Sequence, residues 1–110
     1  MSITEMLGIQ YPIFSGAMMR IATHELVGAV SEAGGLGVLG SAGLSAEQLR
    51  AEIQATRKLT DKPFGVNLML QMKNCPELAQ VIIDEGVKVV TTGAGNRLHI
   101  FRRYTRPVLK

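Results

Sequence analysis

Short apolar runs alternate with helical patterns along this chain, with almost no residues spare between them, and that rhythm restricts the fold more than any single motif. YPIF at 11–14 reads as a strand. ATHELVGAVSEAGG at 22–35 reads as a helix with Thr23 as N-cap and Glu25 in its first turn. Leu26, Val27, Val30 and Ala33 supply its apolar stripe, and Gly34 with Gly35 ends it. LGVLG at 36–40 is a compact run suited to a buried strand. SAEQLRAEIQATRKLTD then gives a second helix, opened by the capping-box pair Ser45 and Gln48, with Leu49, Ile53 and Thr56 on its inner side. A third strand runs from Phe64 to about Leu68 behind a proline. CPELAQVIIDEG forms a helix with Pro76 near its start and Gly86 at its end, and VKVVTTGAG is a fourth strand.

The order βαβαβαβ with short connections predicts parallel strands joined by right-handed crossovers, and strands this uniformly apolar are normally covered on both faces. Two architectures satisfy it: an open doubly wound sheet, or a TIM barrel of about 250 residues. In a barrel, four strands and three helices make the first half. Such a half leaves two strand edges unpaired and one face bare, so completion or a homodimer is expected.

Charge separates the chain at Asn96. Residues 1–96 hold seven Lys/Arg against nine Asp/Glu, whereas residues 97–110 hold five Lys/Arg and no acid. A mildly acidic body has no basic face to follow phosphates, so nucleic acid is not an expected partner. The start, MSITEMLGIQYP, lacks the basic and long apolar segments of a secretory signal, and no run is long enough to span a membrane. A cytoplasmic setting is expected, and the single cysteine, Cys75, reads as a bystander.

Gly35-Leu36-Gly37-Val38-Leu39-Gly40 matches G-x-G-x-x-G, but dinucleotide binding needs those glycines after a strand and at the mouth of a helix. Here a helix precedes them and the motif is itself the strand. His24 and His99 lack ligating neighbours at metal spacing, so no metal is expected. Glu25, Glu47, Glu52 and Glu77 read as dipole or solvent residues, Ser31, Ser41 and Ser45 lack a nearby base, and Met18, Met19, Met69 and Met72 read as gap fillers. No catalytic residue is assigned. The strand ends are more informative. Gly16-Ala17-Met18, Asn67 and Gly93-Ala94 combine small residues with one amide, where parallel α/β folds bind ligands.

At YPIFSGAM, EAGGLGVLG, LTDKPFGVNLML and EGVKVVTTGAGN the sequence resembles the flavin-dependent family of enoyl-acyl-carrier-protein reductase II and nitronate monooxygenase, from about Leu7 to Asn96. The likeness is greater to the enoyl reductase branch in LTDKPFGVN and EGVKVVTTGAGN. The resemblance implies a TIM barrel holding FMN at the carboxyl ends of its strands. It also implies electrons passing from NAD(P)H to the double bond of an enoyl thioester on acyl carrier protein, or oxidation of a nitronate. By the same likeness Gly16, Ala17, Met18 and Asn67 meet the flavin, and Gly93 and Ala94 join them. Ser15 stands where the family often has Gln, and Arg20 where it has a bulky aromatic. The family's phosphate-binding glycine loops and its G-G-H histidine have no counterpart here, and His99 does not match that histidine. The chain is therefore expected to be inactive by itself.

Two domains follow from this reading, an N-terminal half-barrel at 1–96 and a basic tail at 97–110 foreign to the family. RLHIFRRYTRPVLK can be back-translated so that one added nucleotide reads PATYFPKVYKAGIK, the family's continuation, which points to a shifted reading frame. The contrasting expectation is a small α/β module whose basic tail binds phosphate or an acidic carrier and which takes no flavin.

Overall fold

The computed structural model describes residues 1–94. Its elements are α1 (Ile3–Leu7), β1 (Phe14–Ser15), α2 (His24–Glu32), β2 (Leu36–Gly40), α3 (Ala46–Leu59), β3 (Phe64–Met69), α4 (Cys75–Asp84) and β4 (Val89–Gly93). The expected alternation is present. All strand pairs are parallel, in the order β1-β2-β3-β4. A strand order that follows chain order has no reversal point, which is how a barrel begins and is unlike a doubly wound sheet. The fold class is thus the first half of a (β/α)8 barrel. The tail at 97–110, with His99, lies outside the described residues.

The strands alternate between two apolar clusters, as a period of two requires. Leu39, Phe64, Val66 and Leu68 pack against Val27, Leu49, Ile53 and Leu78 from the three long helices. Leu36 and Val38 point the other way and gather Leu7, Ile9, Ala17 and Val89. This second face is the barrel-interior side. Phe14, paired with Leu36, shares it and is half exposed, while Val90 at the β4 edge is also exposed. Among the described residues no helix is long and apolar enough to cross a membrane.

Several local expectations change. The first strand is only Phe14–Ser15, because Tyr11 and the preceding Gln10 instead donate their N–H groups to Gly34 O, at 2.9 Å each, in a turn. The α2 stripe is Val27, Gly28 and Ser31, and Ala33 is exposed as the C-cap. Thr23 holds the N-cap position without a side-chain bond. The helix α1, not anticipated, is a single capped turn whose N-cap Ser2 accepts from Glu5 N and whose exit is Gly8 at φ 71°.

The α3 cap forms as read. Ser45 Oγ accepts from Gln48 N at 3.1 Å and Ser45 N donates to Gln48 Oε1 at 2.9 Å, while Leu49, Ile53 and Thr56 are buried. Ser45→Ala removes one of these two bonds and is expected to lower stability by about 1 kcal/mol. Urea unfolding followed by circular dichroism measures it, with an unchanged m-value marking a local loss.

Candidate functional site at the strand ends

The register brings the sequence-predicted residues to one end of the sheet. Gly40 pairs with Asn67, Asn67 with Thr91, and Met69 with Gly93. A Cβ placed on Gly40 would lie 3.1 Å from Met18 O, so the loop after β1 rests directly on the end of β2. Met18, Gly40, Asn67 and Gly93 therefore follow one another across the carboxyl ends of four adjacent strands. Ala17 packs into the interior-side cluster, Met18 is exposed, and Ala94 adopts φ 52° as the chain leaves β4.

Asn67 is fixed from both sides. Ser41 Oγ donates to its main-chain O at 2.5 Å, and Thr91 Oγ1 donates to its Oδ1 at 2.9 Å. Among the described residues its amide N has no hydrogen-bond partner, which leaves two donors on a half-buried side chain on the interior side. The sequence offered Ser41 only as a serine without a base and Thr91 only as part of a strand end, with no tie from either to Asn67. Each acts on Asn67 across 24 or more residues, and only the strand register discloses that.

The glycines separate into two kinds. A Cβ on Gly35 would meet Ile13 O at 2.7 Å, and one on Gly37 would meet Val27 O at 2.5 Å. With Gly40 against Met18, all three glycines of the G-x-G-x-x-G pattern are used by internal backbone packing, as the helix-before-strand order implied. Gly16 and Gly93 differ. Among the described residues a Cβ on either meets nothing within 4 Å, and neither has a positive φ. The fold does not require glycine there; a flat ligand lying against the backbone would.

Other candidates are structural. Ser31 Oγ accepts from Gly37 N at 3.1 Å, and Met72 packs against the main core, while Met18 and Met19 are exposed beside the strand ends. Cys75 is buried, and burial, followed by the charge of Glu77, pushes its thiol pKa up, so it stays protonated and unreactive. Among the described residues no three potential ligands gather for a metal. Glu52 is not a solvent residue: its carboxylate accepts from His24 N at 2.9 Å and lies 3.0 Å from His24 Nδ1.

Two clefts, of about 290 and 970 Å3, lie at the opposite end, beside Pro63 and the starts of β3 and β4. They touch none of the six candidate residues. Binding in parallel α/β folds is confined to the carboxyl ends of the strands, so size alone does not make these clefts the site.

A family model described as nitronate monooxygenase matches residues 1–105. An octahydro-1H-indene-4-carboxyl-CoA dehydrogenase of Mycobacterium tuberculosis is 35% identical over 92% of this chain and 28% of its own length. A nitronate monooxygenase of Pseudomonas aeruginosa is 52% identical over 59% of this chain and 18% of its own. The solved structure of FabK from Thermotoga maritima superposes with a TM-score of 0.87 at 44% identity, covering 97% of this chain and 33% of that one. The chain thus spans about a quarter of the length of the curated relatives it matches over most of its own residues.

Proposed function

The chain belongs to the nitronate monooxygenase family, and from that premise we propose that it is the N-terminal part of an FMN-dependent oxidoreductase of the enoyl reductase kind. One observation carries the reading: Gly16 and Gly93, which no contact among the described residues requires to be glycine, stand at the same sheet end as Asn67, whose amide donors have no partner among the described residues. That combination fits a flat, hydrogen-bonding ring. The main chain of Gly16, Ala17 and Met18 would lie against it, Asn67 would donate to it, and Gly93 with Ala94 would border it. Bound there, FMN would supply electron transfer from NAD(P)H to the double bond of an enoyl thioester. The chain's own residues bind and orient; none of them is assigned a proton or a nucleophile.

The thioester reading is favoured because the likeness to FabK extends over nearly the whole chain, and because the M. tuberculosis relative is named for a CoA thioester. Nitronate oxidation is the second reading, favoured by the 52% identity to the P. aeruginosa enzyme. By itself the 110-residue chain is proposed to be inactive, with acyl carrier protein, NAD(P)H and any homodimer contacts belonging to the complete barrel. We assign the segment 97–110 to a shifted reading frame.

Substrate choice is tested on a frame-restored protein. Anaerobic NAD(P)H consumption stimulated by crotonyl thioester, without oxygen uptake on nitroalkane, is the expected result. Oxygen uptake on nitroalkane in the absence of NAD(P)H would move the assignment to nitronate oxidation.

A further inference from the structure

The loop from Gly16 to Thr23 carries half of the proposed flavin contacts and is packed through Ala17 and the buried Ala22, yet its entry into α2 lacks a side-chain cap. It leaves a strand of two residues, passes through Arg20 at φ 64°, and enters α2 at an N-cap whose side chain makes no bond. Inside it, Met18 O accepts from Ile21 N at 3.1 Å and Ala22 N at 2.8 Å, and Ala22 O accepts from Gly40 N at 3.1 Å. Thr23 N donates to Ile21 O at 2.9 Å and Thr23 O accepts from Val27 N at 3.0 Å, and a side-chain tie comes from another helix. Glu52, in the middle of α3, accepts His24 N through Oε1 at 2.9 Å and approaches His24 Nδ1 through both oxygens, at 3.1 and 3.0 Å.

We propose that Glu52 is the positioning residue of the strand-end loop, substituting for the missing Thr23 cap and fixing where Gly16-Ala17-Met18 sits. A carboxylate at a helix N-terminus satisfies an orphan N–H and complements the dipole, and gripping ring and main chain of one residue fixes direction as well as distance. The side chain of Glu52 is 23% exposed, so the contact is partly shielded from solvent. Because a carboxylate only accepts, the neutral His24 ring carries its proton on Nδ1. Nε2 then faces outward, 4.0 Å from the exposed Glu25. Those two carboxylates are the charged groups that face the ring among the described residues. Glu52 touches none of the six candidate residues and acts only through His24 and the loop.

The inference rests on the flavin reading only for its consequence at the site; the latch is a property of the chain itself. It is tested without flavin, so failure of one leaves the other standing. Residue-resolved amide exchange and 15N shifts are measured on the 110-residue protein as wild type, Glu52→Gln and Glu52→Leu. With Glu52→Leu, exchange at Ile21, Ala22 and His24 is expected to rise at least tenfold relative to Val66 and Leu78. At a pH where the ring is neutral, the His24 proton is expected to move from Nδ1 to Nε2. Glu52→Gln keeps one acceptor oxygen and should recover part of both effects. Equal acceleration at Val66 and Leu78 in both variants would reduce Glu52 to general stability and overturn the proposal. So would unchanged exchange at residues 21–24 or an unmoved His24 proton.

Discussion

Gly37→Ala is expected to lower the thermal midpoint by about 12–24 °C, whereas Gly93→Ala leaves it unchanged or raises it slightly. The methyl group at position 37 would sit 2.5 Å from Val27 O and 2.8 Å from Val27 Cα. Both atoms are main chain of Val27 in α2, which packs on the central strand β2, so no flexible side-chain end can simply move aside. Separating α2 from β2 would also loosen the packing around Val27, which is fully buried. Overpacking of this kind costs about 3 kcal/mol, a large share of what holds a domain of this size together. At Gly93 the added methyl meets nothing among the described residues and the backbone is already in a region open to alanine. There the smaller entropy of the unfolded chain dominates, stabilising by about 0.5 kcal/mol. Thermal scans by circular dichroism decide the matter. Similar losses at both positions would mean that the division of glycines into packing and ligand-facing sets is wrong.

That division also explains what could be read from the sequence and what could not. Elements whose apolar spacing was local and regular were legible: LGVLG is buried through Leu39, and the capped helix from Ser45 buries Leu49, Ile53 and Thr56 as its period demands. The parallel order followed from short connections, since neighbouring parallel strands need a crossover helix. YPIF failed as a four-residue strand because Tyr11 N is taken by Gly34 O, a partner 23 positions away that no local pattern announces. The helix Ile3–Leu7 was missed for a related reason. It buries no residue within itself and is held by its caps.

The candidate site divides in the same way. The placement of its small residues and Asn67 at one end of the sheet was legible because strand ends in parallel folds have a known side. The long-range hydrogen bonds around them were not. Ser41 reaches Asn67 O over 26 positions, Thr91 reaches Asn67 Oδ1 over 24, and Glu52 reaches His24 over 28. In isolation each has an ordinary local role, a turn, a strand or a solvated helix face. Their second role exists only once β2, β3 and β4 are in register and α3 lies against α2.

Restoring the reading frame is expected to turn a chain that leaves FMN fluorescence unchanged into one that quenches it and purifies yellow. The argument begins with charge: five basic residues and no acid follow a body in which acids outnumber bases, so the segment after Asn96 does not share its composition. With suitable synonymous codons, one added nucleotide before the Arg97 codon would let the same stretch read PATYFPKVYKAGIK, which by the family resemblance would supply a fourth helix and the start of a further strand. A strand placed beside β4 would cover the exposed Val90 edge, and the remaining barrel would enclose the interior face on which Phe14 is left half bare. A ring bound at Gly16, Asn67 and Gly93 would then be held from all sides rather than on an open sheet. Reading the gene is the first check, because codon degeneracy permits other nucleotides. If the alternative frame encodes no such segment, or if the restored protein binds no flavin, the shifted-frame account fails and Arg97–Lys110 has to be treated as a genuine basic tail. Deleting that tail would then be expected to abolish salt-sensitive binding to phosphate or to an acidic carrier.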